Sequence, residues 1–556
     1  VLEQHGITTL YMGDLFEREE IRDLLSLIAL ASGDQRSLLR VSTFPQYHIP
    51  DKDVQLVFSL AGQKDVLFPK AISQFRDNPE LSEGAQKSLL LLDQHLQDLC
   101  FGRGVWSLLA HYLYNRSQYL QPILNEGNLA SQQKRLAIYQ FLRFVYEQDH
   151  IQGSSNDGKR RLLDYIRRLE IFGEEKQLRQ VPEAGQAIDA VRVMTIHASK
   201  GLEFRAVYLP MLGAQYFPSK RQPNPCPPPD GMLSQNPEEA HIQEETCLFF
   251  VALSRAKDIL CLSRSEHYTN RGTSNPSSLL NLIASAIPTS INGPVTWHGG
   301  EEQNVETAIS AIPVQQSSDQ TFDVEDLDLY IRCPLRYYYE SALGLSGKSE
   351  ETTFLRFHRV LYQILDWIQE QHQQTGHVDE TTLRTQIDKV WMTMNFSNHP
   401  FEPLYRKNAE EMLAQALKIH NQAIQVIKSE PITISLQAGQ VIFLPDHIEV
   451  LADNTRIIRR IRTGRVSSSE LDKDIYGLYQ AAVYQSVPNK CRTDVFSLTS
   501  GQSQPLNLST KKMETRLERY NQAIIGIINK DFHSNPSDRE CPRCPDYFIC
   551  PVTTEK

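Results

Sequence analysis

The sequence predicts a multidomain α/β protein. Three observations carry this. Ala190–Thr195 and Ala206–Leu209 are apolar and β-branched, as buried strands are. Residues 63–185 read almost wholly as amphipathic helix, and a second mixture of helices and strands begins near Phe322. At 556 residues the chain exceeds one core, so three or more domains are expected. Its 40% hydrophobic and 22% charged residues are those of an ordinary soluble protein. No apolar run reaches the length of a membrane span, and the first residues lack a basic start followed by an apolar stretch. A cytoplasmic location with no membrane partner is therefore expected. The chain opens mid-pattern at Val1, as a fragment would.

From the N-terminus, Phe16, Ile21, Leu24, Leu25 and Ile28 recur at helical spacing with charged residues between them. That pattern predicts a helix over Phe16–Ala31 with one buried face. Amphipathic stretches follow at 86–99, 104–124 and 132–149. Residues 217–236 are proline-rich and aperiodic, a surface loop, and 301–320 are polar and patternless, a linker. Beyond Phe322 the pattern predicts helices at 353–373, 381–395 and 403–428, strands near 432–443 and 447–461, and a helix over 470–485. There are no internal repeats.

The net charge of −10 argues against a generic polyanion binder, but local charge matters more. Lys159, Arg160, Arg161, Arg167 and Arg168 form one basic cluster, for which a solvated helix face is an equal reading. Arg456, Arg459, Arg460, Arg462 and Arg465 form a denser one. Nine cysteines in a chain of this size do not suggest a secreted disulfide framework. Three of them, Cys541, Cys544 and Cys550, fall within the last 16 residues, which suggests a metal or cluster site.

Two segments carry most of the functional signal. Val193–Phe204 reads Val-Met-Thr-Ile-His-Ala-Ser-Lys-Gly-Leu-Glu-Phe, and Glu244–Lys257 ends in Val-Ala-Leu-Ser-Arg-Ala-Lys. The first places a hydroxyl, an imidazole and an ammonium in a strand-to-loop segment, which suits a nucleic-acid backbone. In it, Gly201 is expected to allow close backbone approach. The second places Arg255 after a helix whose apolar face is Leu248, Val251 and Ala252. Together they resemble the fifth and sixth motifs of the UvrD/Rep/RecB helicases, superfamily 1 DNA motors. Gly13–Leu25 resembles the same family just after its fourth motif. The resemblance implies that Thr195, His197 and Lys200 face DNA. It also implies that Gly201 and Glu203 face the nucleotide, and that Arg255 is the arginine finger that neutralises γ-phosphate charge. Ser254 stands where the family usually has Thr, and keeps the hydroxyl. The phosphate-binding loop is not found. Gly347-Lys348-Ser349 lacks the glycine required five residues before Gly347, where Ala342 stands. The chain alone is therefore expected not to hydrolyse ATP.

Cys333 precedes Cys541-Pro-Arg-Cys544 and Cys550 by some two hundred residues. One distant cysteine plus C-x2-C-x5-C resembles the iron–sulfur nuclease domains of the AddB type, which implies a [4Fe–4S] cluster stapling the two ends of a domain. Zinc would accept the same four ligands. The body of this domain resembles the PD-(D/E)XK nucleases linked to RecB-like helicases. That resemblance implies a metal-site role for His358 and Asp446, and a helix against DNA carrying Gln480 and Tyr484. The family has Asp-x-Lys before Thr463-Gly464, whereas this chain has Arg460-Ile-Arg462. A guanidinium placed where a carboxylate should hold Mg²⁺ repels the ion and attracts phosphate. The nuclease centre is thus expected to be inactive, with Arg459, Arg460 and Arg462 binding the DNA backbone. An Arg460–Asp446 structural ion pair is the alternative.

The resemblance therefore implies a RecA-like parallel-sheet domain split by an all-helical insertion and followed by a PD-(D/E)XK nuclease-like α/β domain. Its expected bounds are 1–62 and 186–300 for the RecA-like parts, 63–185 for the insertion, 301–320 for the linker and 321–556 for the nuclease-like domain. It also implies an ATP-dependent 3′-to-5′ DNA helicase/exonuclease of repair or recombination. The partners would be single-stranded or duplex-end DNA, ATP with Mg²⁺ in the complete protein, and a second helicase-nuclease subunit. The alternative is a DNA-binding scaffold subunit without motor activity.

Overall fold

The computed structural model describes residues 7, 9–10, 13–152, 156–172, 185, 188–221, 232, 236–267, 273–286, 321–345, 353–393, 400–423, 425–427, 429–485, 491–537 and 539–551. The proposed linker 301–320, Gly347-Lys348-Ser349 and most of the proline-rich loop lie outside the described residues. The chain forms two compact units, Val1–Ser32 with Gln94–Glu306, and Gly33–Asp93 with Thr307–Lys556. This division differs from the expected one chiefly in Gly33–Asp93, which groups with the C-terminal half.

In the first unit, β1 (Thr9–Leu10) pairs in parallel with β2 (Val191–Arg192). Between them in sequence lie the helices α1 (Glu19–Ser32), α2 (Leu129–Gln152) and α3 (Asn156–Phe172). Asp14 accepts the Phe16 amide at 3.2 Å and starts the short turn that precedes α1. The helix is buried on all sides, not on one face: Glu20, Arg22 and Ser26 are enclosed along with Leu24, Leu25 and Ile28. The physical reason is that α2 and α3 both pack on it, and Phe16 meets Phe144 edge-on at 5.4 Å. On α3, Lys159 is fully buried, and its ammonium donates to the carbonyls of Cys100 and Arg103 at 2.9 Å each. The first basic cluster is therefore not simply a solvated face.

The strands β3 (Phe204–Leu209) and β4 (Ala256–Leu262) also pair in parallel. Between them runs α4 (Pro237–Leu253), started by Asn236 accepting the Glu238 amide and by Pro237 at its first turn. The buried anchor of α4 is Phe249, which packs with Leu212 and Leu279, while Leu248 and Val251 are half-buried. The expected burial of the strands is not met: Tyr208 is 71% exposed, and Val191 and Val193 are also open. Each strand has one partner among the described residues, and a two-stranded ribbon cannot enclose both faces.

The second unit contains two sheets. One has the order β12-β11-β10-β9-β6, and the other β5-β8-β7. Their strands are β5 (Thr321–Asp323), β6 (Gln425–Ile427), β7 (Ile432–Ser435), β8 (Gln440–Phe443), β9 (His447–Val450), β10 (Arg456–Arg462), β11 (Cys491–Ser497) and β12 (Gln502–Pro505). The central strand β10 runs parallel to β11 and antiparallel to β9. Helices α5 (Val324–Arg332), α6 (Thr353–Thr375), α7 (Glu380–Thr393), α8 (Glu402–His420), α9 (Ser468–Leu471), α10 (Ile475–Gln485) and α11 (Thr510–Ile528) surround the sheets. The expected helix over 403–428 ends at His420, and the chain turns into β6.

Strand β10 alternates, and the alternation divides its arginines. Ile461 joins a core with Phe357, Leu361, Ile364 and Leu413 of α6 and α8. Ile458 joins the other core, with Tyr476, Tyr479, Tyr520 and Ile524 of α10 and α11. Arg459 shares the face of Ile461, whereas Arg460 and Arg462 share the face of Ile458.

Candidate functional sites

In the first unit the two motifs meet. The parallel pairing of β3 with β4 begins with the Phe204 amide donating to the Arg255 carbonyl at 2.8 Å. The Arg255 guanidinium then donates to Leu202 O at 2.8 Å, to Val251 O at 3.0 Å and to Ser254 Oγ at 2.8 Å. Ser254, the departure from the family pattern, thus holds the arginine. Beside it, Glu203 pairs with Lys257 at 3.1 Å, both half-exposed. Gly201 adopts φ +84°, a left-handed conformation that side chains disfavour. A Cβ there would meet nothing within 4 Å. Within the chain itself, this glycine is therefore required by its backbone angle and not by a crowding neighbour.

Thr195 Oγ1 accepts the Ala198 amide at 3.2 Å and shapes the turn His197–Ser199. Thr195, His197 and Lys200 are exposed. His197 and Lys200 line a cleft of about 540 Å³ against Gln243, Glu244, Cys247 and Val251 of α4. An imidazole and an ammonium are thereby presented to one cleft, and the Thr195 side chain is exposed in the same segment.

In the second unit the residues expected at a nuclease centre also converge. Asp446 lies just before β9 and accepts the Ile461 amide at 2.7 Å. Burial pushes its carboxyl upward, against the attraction of Arg460 and Arg462. Burial also works against the Arg460 charge, but Tyr479, Asp446 and Tyr476 outweigh it and hold the guanidinium charged. Burial and the nearby Arg462 lower the pKa of His358, which meets Phe354 edge-on at 4.4 Å. Arg462 pairs with Glu470 at 3.1 Å. The site thus holds guanidinium groups where a metal would need carboxylates. Among the described residues, His358 and Asp446 belong to no group of three or more His, Cys, Asp or Glu whose ligand atoms all lie within 4.8 Å of one another.

Two of the expected contacts are placed otherwise. Arg459 is buried and paired with Glu449 and with Asp494, so it cannot serve a DNA backbone. The reason is its face: one residue of shift along a strand turns it toward α6 and α8. Gln480 is also turned inward, accepting the Leu508 amide at 3.4 Å, while Tyr484 is 51% exposed.

Glu470, Lys473, Tyr476 and Tyr479 around this site were missed from sequence. Ser467-Ser-Ser-Glu470 is a capping-box pattern and could have flagged Glu470. Ser467 does accept the Glu470 amide at 3.2 Å. A further group behind β10 carries no sequence signal. His447 and His420 lie with ring centres 4.1 Å apart and planes tilted by 45°, and His447 Nε2 lies 3.2 Å from Glu449. Gln369 approaches His447 Nδ1 at 2.6 Å, and His372 is buried nearby.

The cysteines lie at the joined ends of the second unit. Leu335, two residues after Cys333, donates its amide to His533 O at 3.0 Å, and Asn535 donates to Arg332 O at 3.0 Å. Cys541 Sγ accepts the Ser537 amide at 3.2 Å, and the Cys544 amide returns to Cys541 O at 2.9 Å. Burial and the charge of Asp546 push the Cys544 thiol up to about 12, with Cys550 close enough to add to the shift. Asp546 is itself tied to Arg36 at 3.2 Å. No three of these sulfurs lie within 4.8 Å of one another among the described residues.

Both regions match known protein families. Residues 1–267 match the UvrD-like helicase C-terminal domain, and residues 321–551 match the PD-(D/E)XK nuclease superfamily. The chain thus combines a UvrD-like helicase C-terminal domain with a PD-(D/E)XK nuclease superfamily domain, and its likeness to PcrA supports the C-terminal portion of a UvrD/Rep-type superfamily 1 helicase. The ATP-dependent DNA helicase PcrA of Bacillus subtilis is 26% identical over 273 residues, 48% of this chain and 34% of that protein. PcrA of Staphylococcus aureus (strain Mu50) is 23% identical over 260 residues, 46% of this chain and 32% of that one. PcrA of Leuconostoc citreum is 23% identical over 278 residues, 49% and 35% respectively. The chain spans about a third of the length of these curated relatives. Among the described residues, no helix is long and apolar enough to cross a membrane.

Proposed function

We propose that this chain is the C-terminal part of an ATP-dependent 3′-to-5′ DNA helicase of repair or recombination. Its nuclease-like domain has lost cleavage and retains DNA. The observation that supports the motor reading best is Arg255 donating to the Leu202 carbonyl beside Glu203. Two motifs far apart in sequence thereby share one site, as a nucleotide-clasping arginine and a ribose-facing carboxylate require. The β1–β2 pairing across α1–α3 supports reading 1–32 and 186–300 as one RecA-like sheet domain interrupted by helices. ATP and Mg²⁺ belong to the complete protein, and this chain alone is inactive as an ATPase. In the complete protein, Arg255→Ala lowers DNA-stimulated ATP turnover by roughly 10³-fold. Unchanged turnover in a folded variant would reject the motor reading.

Arg460 in place of a carboxylate supports a second reading, a DNA-binding scaffold subunit working with a helicase-nuclease partner. Salt-sensitive binding of single strands, unaffected by ATP, separates it from the motor. Under both readings the nuclease centre is inactive. A metal-dependent cleavage removed by Asp446→Ala would overturn that.

The four cysteines fit a [4Fe–4S] cluster or zinc by donor chemistry. Amide donation to Cys541 Sγ suits a thiolate, and a thiol as buried as Cys544 ionises only beside a cation. Such a group would staple Cys333 to the C-terminal end; the chain's own contacts at His533 and Asn535 already hold the two ends together.

A further inference from the structure

We propose that Glu470 is a resident anion that holds Arg462 and Lys473 in reserve, and that single-stranded DNA binds this end of β10 when its phosphates take those two cations from Glu470. The inference rests on the reading that the nuclease-like domain retains DNA.

Three donors converge on one carboxylate. Arg462 Nε meets Glu470 Oε1 at 3.1 Å, the Tyr476 hydroxyl donates to the same oxygen at 3.0 Å, and Lys473 Nζ meets Oε2 at 2.7 Å. Burial opposes the ionised form of Glu470, but Lys473, Arg462 and Tyr476 hold its pKa below the usual value. It is therefore a full negative charge at neutral pH. The exposures are unequal. Glu470 is 12% exposed, whereas Arg462 is 33% and Lys473 49% exposed. Tyr476 is fully buried. The carboxylate is thus tethered from below by a fixed hydroxyl and by its own helix. The two cations reach it from solvent on long, flexible stems.

That asymmetry decides which group moves. A phosphodiester cannot enter the Tyr476 end, but it can receive Arg462 and Lys473 as they swing outward. Glu470 keeps Tyr476 and loses little. Arg462 can grip a phosphate with two N–H groups, as it cannot grip a single carboxylate oxygen. Arg460, held by Tyr479 and Asp446 two residues earlier on the same face, maintains positive potential behind the exchange. Tyr484, open on the helix that carries Tyr476, offers a face on which a base can stack. The exchange needs no divalent ion, since arginine and lysine charge replaces it. Partially exposed ion pairs are weak, so they are suited to being given up.

The test uses the full chain, a fluorescent oligothymidylate and EDTA-containing buffer over a salt series. Glu470→Gln keeps the shape and removes the competing charge. It is expected to bind roughly tenfold tighter at low salt, with the log–log salt slope little changed, because the same phosphates are neutralised in both proteins. The gain disappears in Glu470→Gln/Arg462→Ala and about halves in Glu470→Gln/Lys473→Gln. Should Glu470→Gln unfold, Glu470→Asp draws the carboxylate out of reach of Arg462 and tightens binding in the same direction. Unchanged or weaker binding in the folded Glu470 variant, with Arg460→Ala still weakening binding, overturns the inference and leaves the DNA-retaining reading intact. If Arg460→Ala, Arg462→Ala and Glu470→Gln all bind as the native chain does, the reading itself falls.

Discussion

Acidification is expected to loosen the second unit through its buried histidines. Burial, aided by His447, lowers the His420 pKa to about 3; burial, aided by Arg459 and His372, does the same for His447. In the unfolded chain each titrates near its ordinary 6.5. Between these values the unfolded chain binds more protons than the folded one, so stability is present above pH 6.5 and is lost as pH falls toward 3. At pH 5.5 each histidine costs about RT ln 11, or about 1.4 kcal/mol, and the pair about 3 kcal/mol relative to pH 7.5. The perturbation that isolates this is His420→Leu, which removes one titrating group and also a buried Nε2 that has no hydrogen-bond partner. Urea unfolding followed by Trp367 and Trp391 reads the second unit, with Trp106 and Trp297 replaced by Phe. The native chain should lose about 3 kcal/mol between pH 7.5 and 5.5, and His420→Leu about half of that. Equal losses in the two proteins would refute the reasoning, because the pH dependence would then come from other groups.

Other consequences are local. Gly201→Ala should lower the stability of the first unit by about 1 kcal/mol, since its φ of +84° disfavours any Cβ even where space is open. Gly201→Asn should cost less than Ala, and thermal unfolding compares them. Lys159→Met should cost about 1–3 kcal/mol by leaving the Cys100 and Arg103 carbonyls without their donor. Urea midpoints would show it, and a neutral result would mean that water replaces the ammonium. Anaerobically purified chain should absorb broadly in the visible if Cys333, Cys541, Cys544 and Cys550 hold a [4Fe–4S] cluster, and Cys544→Ser should remove that colour. A colourless chain retaining one zinc would assign the simpler metal instead.

Much of the architecture was legible because it is written at short range. The spacing of apolar residues predicted the helices at 353–373 and 381–395, observed as Thr353–Thr375 and Glu380–Thr393. Thr463-Gly464, by anchoring the resemblance, located the strand that carries Arg460 and Arg462. The same resemblance set Arg460 at the position where the family has a carboxylate. What the pattern could not say was which way a side chain faces. Arg459, Arg460 and Arg462 look alike in a run of basic residues, yet the pleat sends the first into a buried pair with Glu449 and leaves Arg462 half open.

Composition, local periodicity and a few contiguous motifs determined by themselves the α/β class, the helix positions and the identities of the motif residues. Only the tertiary structure decided that Arg255 meets Leu202 across a parallel strand pair, that three histidines and Glu449 share one interior, and that Glu470 occupies Arg462 and Lys473. These arrangements depend on strand register and on helices distant in sequence. They also depend on the cost of leaving a buried charge unpaired, which is met only when the whole unit closes.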